Sequence, residues 1–143
     1  MITIERVITV DRPVEAVFGY LADFETTTEW DPGTVRTVRV EGDGGPGTKY
    51  RNTSSFAGRE TELEYVVQQL EAGRIFQLRG ENRTVTALDT MTFRAVGGGT
   101  EVTYRAEFEF KGMTRLAQPL LKGQFKKLGD EAERGMHDAL QKL

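Results

Sequence analysis

From Val35 to Phe110 the chain alternates polar and apolar residues with a period of two, and short glycine-rich turns punctuate the alternation. Successive side chains of a strand point to opposite faces, so such a pattern predicts strands that are buried on one side only. Val35, Val38 and Val40 lead into "EGDGGPG"; the runs that follow are "TKYRNTSSF", "RETELEYVVQQL", "RIFQLRGEN", "RTVTALDTMTFRAV" and "TEVTYRAEFEF". Ala57-Gly58, Ala72-Gly73 and Gly97-Gly98-Gly99 mark tight turns among them, which predicts an antiparallel meander of six strands. After Met113 the period changes. Leu121, Phe125, Leu128, Ala132, Met136, Ala139 and Leu143 step by three or four, with Lys122, Lys126, Asp130, Glu133 and Arg134 on the other faces. One amphipathic helix of this length needs an apolar surface to cover, and one face of the sheet is the only candidate. Pro119 either begins that helix or kinks it.

The first third of the chain supplies the remaining elements. Ile2, Ile4, Val7, Ile8 and Val10 read as a strand, Asp11 as a helix cap and Pro13 as a first-turn residue. Val14, Val17, Phe18 and Leu21 have helical spacing, ending near Asp23-Phe24, and Thr26 to Trp30 adds a second short helix before the turn Asp31-Pro32-Gly33. The expected fold is therefore α+β: a seven-stranded antiparallel curved sheet wrapped around a long C-terminal helix, with two short helices between strands one and two. No linker, repeat or low-complexity segment divides it, so residues 1–143 are expected to form one domain.

Several function classes are disfavoured at this level. The net charge is −3 without a block of like charges, so nucleic acid is not the expected partner. Lys122, Lys126 and Lys127 are the nearest approach to a basic patch and read as a solvated helix face. With no cysteine and a single histidine, His137, neither a thiolate, a Ser-His-Asp triad nor a histidine metal site can be assembled. Glu60, Glu62 and Glu64 share one strand face but read as evenly spaced solvent-side carboxylates. The three glycines at 97–99 join two strands and precede no helix, so they are a turn and not a phosphate loop. No signal peptide or run of about 20 apolar residues is present, so the expected location is cytoplasmic, without integral membrane association. No cofactor is expected.

This layout resembles the helix-grip fold of the START-like (SRPBCC) superfamily, and within it the bacterial polyketide cyclase/dehydrase-type branch. The residues that carry the resemblance are "VITVDRPVEAVFGYLADFETTTEWDPG" (7–33), "GGGTEVTYRAEFEF" (97–110) and the terminal "MHDALQKL" (136–143). It implies a deep, mostly apolar cavity between sheet and long helix, with the segment between the short helices at its mouth. It also implies that Trp30 walls one end of that cavity; the plainer reading, compatible with it, is that Trp30 plugs the core.

Alternation alone selects the inward side chains. They are Val102, Tyr104, Ala106, Phe108 and Phe110 in the last strand, and Thr61, Leu63, Tyr65 and Val67 in "RETELEYVV". The mixed strands give Tyr50, Asn52, Ser54 and Phe56, and Val85, Ala87, Asp89, Met91 and Phe93. Asp89 interrupts an apolar row, and a buried charge is costly unless it is paired. Trp30, Tyr50, Asn52, Ser54, Phe56, Leu63, Tyr65, Phe76, Leu78, Asp89, Met91, Tyr104 and Phe108 are the candidate ligand contacts from the sheet side. Leu121, Gln124, Phe125 and Leu128 are those from the helix, although a lone glutamine more often reaches solvent. A self-satisfied polar network, or a register slip exposing Asp89, would remove the polar candidates from this set. Gly123, Gly129 and Gly135 in the helix would leave space or allow close packing.

Three functions follow, in this order of expectation. The first is binding of a lipophilic small molecule of polyketide, isoprenoid or fatty-acyl type by a monomer or homodimer. The second is a polyketide cyclase, aromatase or dehydratase in which Asp89 and the tyrosines move protons. The third is a regulatory or chaperone-like protein-binding module, which calls for an exposed apolar patch.

Overall fold

Every strand of the protein pairs antiparallel with its neighbours, and the first strand completes the row beside the last. The computed structural model describes residues 1–143. Strands β1 (Ile2–Val10), β2 (Thr34–Glu41), β3 (Lys49–Phe56), β4 (Arg59–Glu71), β5 (Ile75–Glu81), β6 (Val85–Val96) and β7 (Gly99–Phe110) lie in the order β1-β7-β6-β5-β4-β3-β2. Helices α1 (Val14–Leu21) and α2 (Thr27–Trp30), with a 3-10 turn at Phe24–Thr26, fill the connection from β1 to β2. A second 3-10 segment, Gly112–Ala117, leads into α3 (Gln118–Gln141). The strand faces are those expected from alternation. Ala87, Met91, Val102 and Ala106 are buried, while Glu60, Glu62 and Glu64 are exposed.

Four local expectations need correction. Asp11 does not cap α1: the Ala16 and Val17 amides donate to the Pro13 carbonyl, so the helix starts two residues later, beyond the reach of the Asp11 side chain. That helix also stops at Leu21, before Asp23, whose carboxylate instead accepts from the Glu25 amide. Val35, Val38 and Val40 all face solvent, because β2 is an edge strand whose register slips twice and turns Thr37 inward. At the C-terminus Leu140 is fully buried and Leu143 is exposed, since the helix ends at Gln141 and releases the last two residues. Pro119 lies in the first turn of α3 and begins it, which its fixed φ and missing N–H permit.

Helix α3 lies against the inner face of the sheet and against β1. Arg6 of β1 holds Asp130 at 2.8 Å and Glu133 at 3.5 Å. At Gly129 a Cβ would meet Ile4 Cγ2 at 2.5 Å, so the helix and β1 approach more closely than any side chain at that position would allow. Two apolar clusters result. The larger contains Val17, Leu21, Phe24, Trp30, Tyr65, Phe76, Tyr104, Met136 and Leu140 among its 22 buried residues. The smaller joins Ile2, Ile4 and Phe125 to the half-buried Phe56, Phe108, Phe110, Leu121 and Leu128.

Candidate functional site

A cavity of about 160 Å³ lies between these two clusters and takes its walls from both. From the larger cluster come Phe24, Trp30, Leu63, Tyr65, Val85 and Tyr104; from the smaller come Phe56, Phe108, Phe110, Phe125 and Leu128. Their rings interlock. Phe125 sits 4.5 Å from Phe56 and 4.7 Å from Phe108 between centroids, and Trp30 meets Tyr104 edge-on at 5.7 Å. The volume is below the roughly 300–1,000 Å³ of a drug-sized site. It is about that of a single aromatic ring.

The polar lining is of two kinds. One is a self-contained chain of hydrogen bonds. Ser54 Oγ donates to Asn52 Oδ1 (2.7 Å), Asn52 Nδ2 donates to Thr37 Oγ1 (2.8 Å), and the Thr37 and Thr27 hydroxyls lie 2.6 Å apart. Thr27 Oγ1 donates in turn to the Phe24 carbonyl at 2.8 Å, which leaves Thr37 as the donor to Thr27. Each polar side-chain atom in this hydrogen-bond chain has at least one hydrogen-bond partner.

The other kind is unsatisfied. Asp89 Oδ1 and Trp30 Nε1 are buried without a hydrogen-bond partner, and both residues line the cavity. Asp89 pairs across the sheet with Leu78 and Ala106, and its neighbours on its own face are Ala87 and Met91. This wholly apolar frame raises its carboxyl pKa to about 7: loss of hydration is the main cause, and the charge of Asp31 adds to it. No lysine or arginine lines the cavity to offset this. Burial also pushes Tyr65 and Tyr104 well above the usual phenol range, with the Asp89 carboxylate next in effect.

Asp31, not selected from the sequence, is the second carboxyl group in the lining. It accepts from the Gly33 amide (3.0 Å) and Thr34 Oγ1 (3.1 Å), the ordinary behaviour of an aspartate opening a turn. Burial nevertheless raises its pKa, which those two hydrogen bonds only partly counter. The signal for it was present in "WDPG", but a turn aspartate normally faces water. The seating of α3, whose Leu128 side chain packs against Gly33, partly covers this one. Phe24, Thr27, Thr34, Ser55, Thr61, Thr84, Val85 and Phe110 also line the cavity.

Eleven candidate ligand contacts from the sequence line the cavity: Trp30, Asn52, Ser54, Phe56, Leu63, Tyr65, Asp89, Tyr104, Phe108, Phe125 and Leu128. Six do not. Tyr50 and Phe76 are buried behind Phe24, whose ring stands 5.4 Å and 6.4 Å from theirs. Leu78 and Met91 are fully enclosed in the larger cluster. Leu121 packs into the smaller cluster with Ile2 and Ile4, away from the cavity, and Gln124 points to solvent. Alternation identifies the inner face; it does not separate the part of that face lined by the cavity from the part packed solid.

Comparison with known proteins agrees with this architecture. The structure is similar to the Zhui aromatase/cyclase from Streptomyces sp. R1128, with a TM-score of 0.85 at 15% identity over 99% of this chain and 94% of that one. It is similar also to a START superfamily protein from Mycobacterium smegmatis, with a TM-score of 0.81 at 13% identity over 98% and 97%. At such identities the likeness establishes the helix-grip fold alone. No curated protein sequence matches the chain. The family model described as "Polyketide cyclase / dehydrase and lipid transport" matches residues 1–142, and the chain belongs to that family.

Proposed function

We propose that residues 1–143 act as one ligand-binding domain that takes a lipophilic small molecule of polyketide, isoprenoid or fatty-acyl type into the cavity between sheet and α3. The observation that carries this reading is the pairing of an apolar, ring-lined chamber with two unpartnered polar atoms, Trp30 Nε1 and Asp89 Oδ1. A buried donor without an acceptor is unfavourable by about 1–3 kcal/mol, and a ligand carbonyl or hydroxyl would relieve it. The family's description, with its lipid transport and polyketide chemistry, supports the same class of ligand. A ligand larger than about one ring would need this cavity to widen. Mass spectrometry of organic extracts from the purified protein tests the proposal: a co-purifying lipophilic compound is expected. Empty extracts together with no Trp30 response to polyketide, isoprenoid or fatty-acyl probes would sink it.

A second reading, an aromatase, cyclase or dehydratase, is favoured by Asp89 specifically. A carboxyl group with a pKa of about 7 is half protonated at neutral pH, which suits it to give and take a proton on a poly-carbonyl substrate. Tyr65 and Tyr104, held protonated, would donate hydrogen bonds to an enolate oxygen. Asp89→Asn separates the readings: a carrier keeps its ligand, whereas an enzyme keeps binding and loses turnover.

A further inference from the structure

The three most exposed large apolar side chains of the protein belong to one short segment: Met113 at 81%, Leu116 at 72% and Leu120 at 83% exposure. They are spaced by three and four residues across the 3-10 segment and the first turn of α3, so they share one face, while the adjacent Leu121 turns into the smaller core cluster. A monomeric soluble surface scatters such residues singly; a cluster calls for a partner.

The charge around them identifies its chemistry. Residues 111–129 contain five basic residues, Lys111, Arg115, Lys122, Lys126 and Lys127, and no acidic one. The chain's net −3 is thus +5 in this segment and −8 elsewhere. Lys111 is spent on Glu81, Lys126 on Asp130 and Lys127 on Glu131, but Arg115 and Lys122 of the same segment have no ion-pair partner. Exposed aliphatic side chains on a segment that carries five basic residues and no acidic one match an anionic bilayer surface better than a folded protein partner. The aliphatic tips enter the acyl boundary while the cations meet the headgroups.

We propose that the segment Lys111–Lys122 is a peripheral docking site for anionic phospholipid membranes. The segment is also joined to the rim of the cavity. The Lys111 amide and Thr114 Oγ1 both donate to the carbonyl of Thr84, a residue of the cavity lining. Phe110, another lining residue, immediately precedes it. Docking would therefore set the cavity's outer end beside the bilayer, and an apolar ligand could pass between the two without crossing water. The docking site itself does not depend on the proposed ligand-binding role, because its probe is the membrane and not a cavity ligand.

The test is flotation of the full chain with vesicles of phosphatidylcholine alone and of phosphatidylcholine with 30 mol% phosphatidylglycerol. Binding is expected to the anionic vesicles only, and to weaken with added salt. The triple variant Met113→Ser/Leu116→Ser/Leu120→Ser, whose changes are all at exposed positions, should lower partitioning by roughly tenfold or more. Arg115→Gln and Lys122→Gln should each lower it about fivefold. Circular dichroism confirms that each variant is folded. Absence of binding, equal binding to both vesicle types, or binding untouched by the triple variant would overturn the proposal, as would capture of an acidic protein partner by this face without vesicle binding.

Discussion

Gly135 of α3 lies directly against the main-chain carbonyl of Trp30: a Cβ at Gly135 would come within 2.0 Å of that oxygen and 3.3 Å of Pro32 Cδ. The contact explains how the protein's one tryptophan is held at the start of a breakable turn. The long helix clamps the backbone of α2, and the indole is driven edge-on against Tyr104 at the cavity wall. Both sequence readings of Trp30 meet here, since it is 2% exposed in the core and also lines the chamber.

Gly135→Ala should therefore destabilise the protein despite alanine's better helix propensity. Main chain is the obstacle, and overpacking of this kind costs about 1–3 kcal/mol against a gain of about 1 kcal/mol from propensity. Gly123 meets nothing within 4 Å, so Gly123→Ala should instead stabilise by up to about 1 kcal/mol. Urea unfolding of the two variants should move their midpoints in opposite directions. Gly135→Ala should also alter Trp30 emission, and an unchanged spectrum with unchanged stability would contradict the clamp.

Asp89 sets a pH dependence. Its pKa rises from 3.8 in the unfolded chain to about 7 in the folded one, so the folded state retains a proton that the unfolded state releases. The contribution of Asp89 to stability is full below about pH 4, falls as the pH rises towards 7 and levels off above it, a loss of up to roughly 4 kcal/mol. Asp31, shifted the same way by burial, adds to the decline. Asp89→Asn should flatten the profile and stabilise the protein at pH 8. Carboxyl NMR gives the direct check: an Asp89 titration near pH 4 would remove the basis of this prediction.

Trp30 should report occupancy of the cavity. Its unpartnered Nε1 is expected to find an acceptor on a bound ligand, shifting or quenching the emission. A saturating lipophilic ligand shown to bind by calorimetry, yet silent in fluorescence, would place the binding elsewhere.

Thr37 is the middle of the hydrogen-bond chain from Ser54 to Phe24. Thr37→Val conserves shape but strands the Asn52 amide, for an expected loss of about 1–3 kcal/mol. Thermal unfolding measures it. A neutral effect would mean that water replaces the hydroxyl, and that the network is open to solvent.

What the sequence by itself determined was the set of elements and their faces. Alternation through Val85, Ala87, Asp89, Met91 and Phe93 is a local property of the pleat, so it named the inner face and placed an acid in its middle. The amphipathic stripe of α3 required a sheet to cover for the same reason. The tertiary structure decided everything that depends on where two such faces meet. Asp31 and Asp11 both looked like ordinary polar residues at element boundaries. One became a half-buried carboxyl because Leu128 and α3 pack over its turn, while the other stayed in water. Asn52 and Asp89 were equally inward by pattern, but only Asn52 found a partner, supplied by an edge strand whose register slips turn Thr37 inward. Tyr50 and Phe76 belong to the inner face yet stand behind Phe24, so they pack in the core and stay out of the ring-lined cavity. The period of a strand names the face of a side chain; the neighbour it meets there depends on residues distant in sequence and on the seating of the helix.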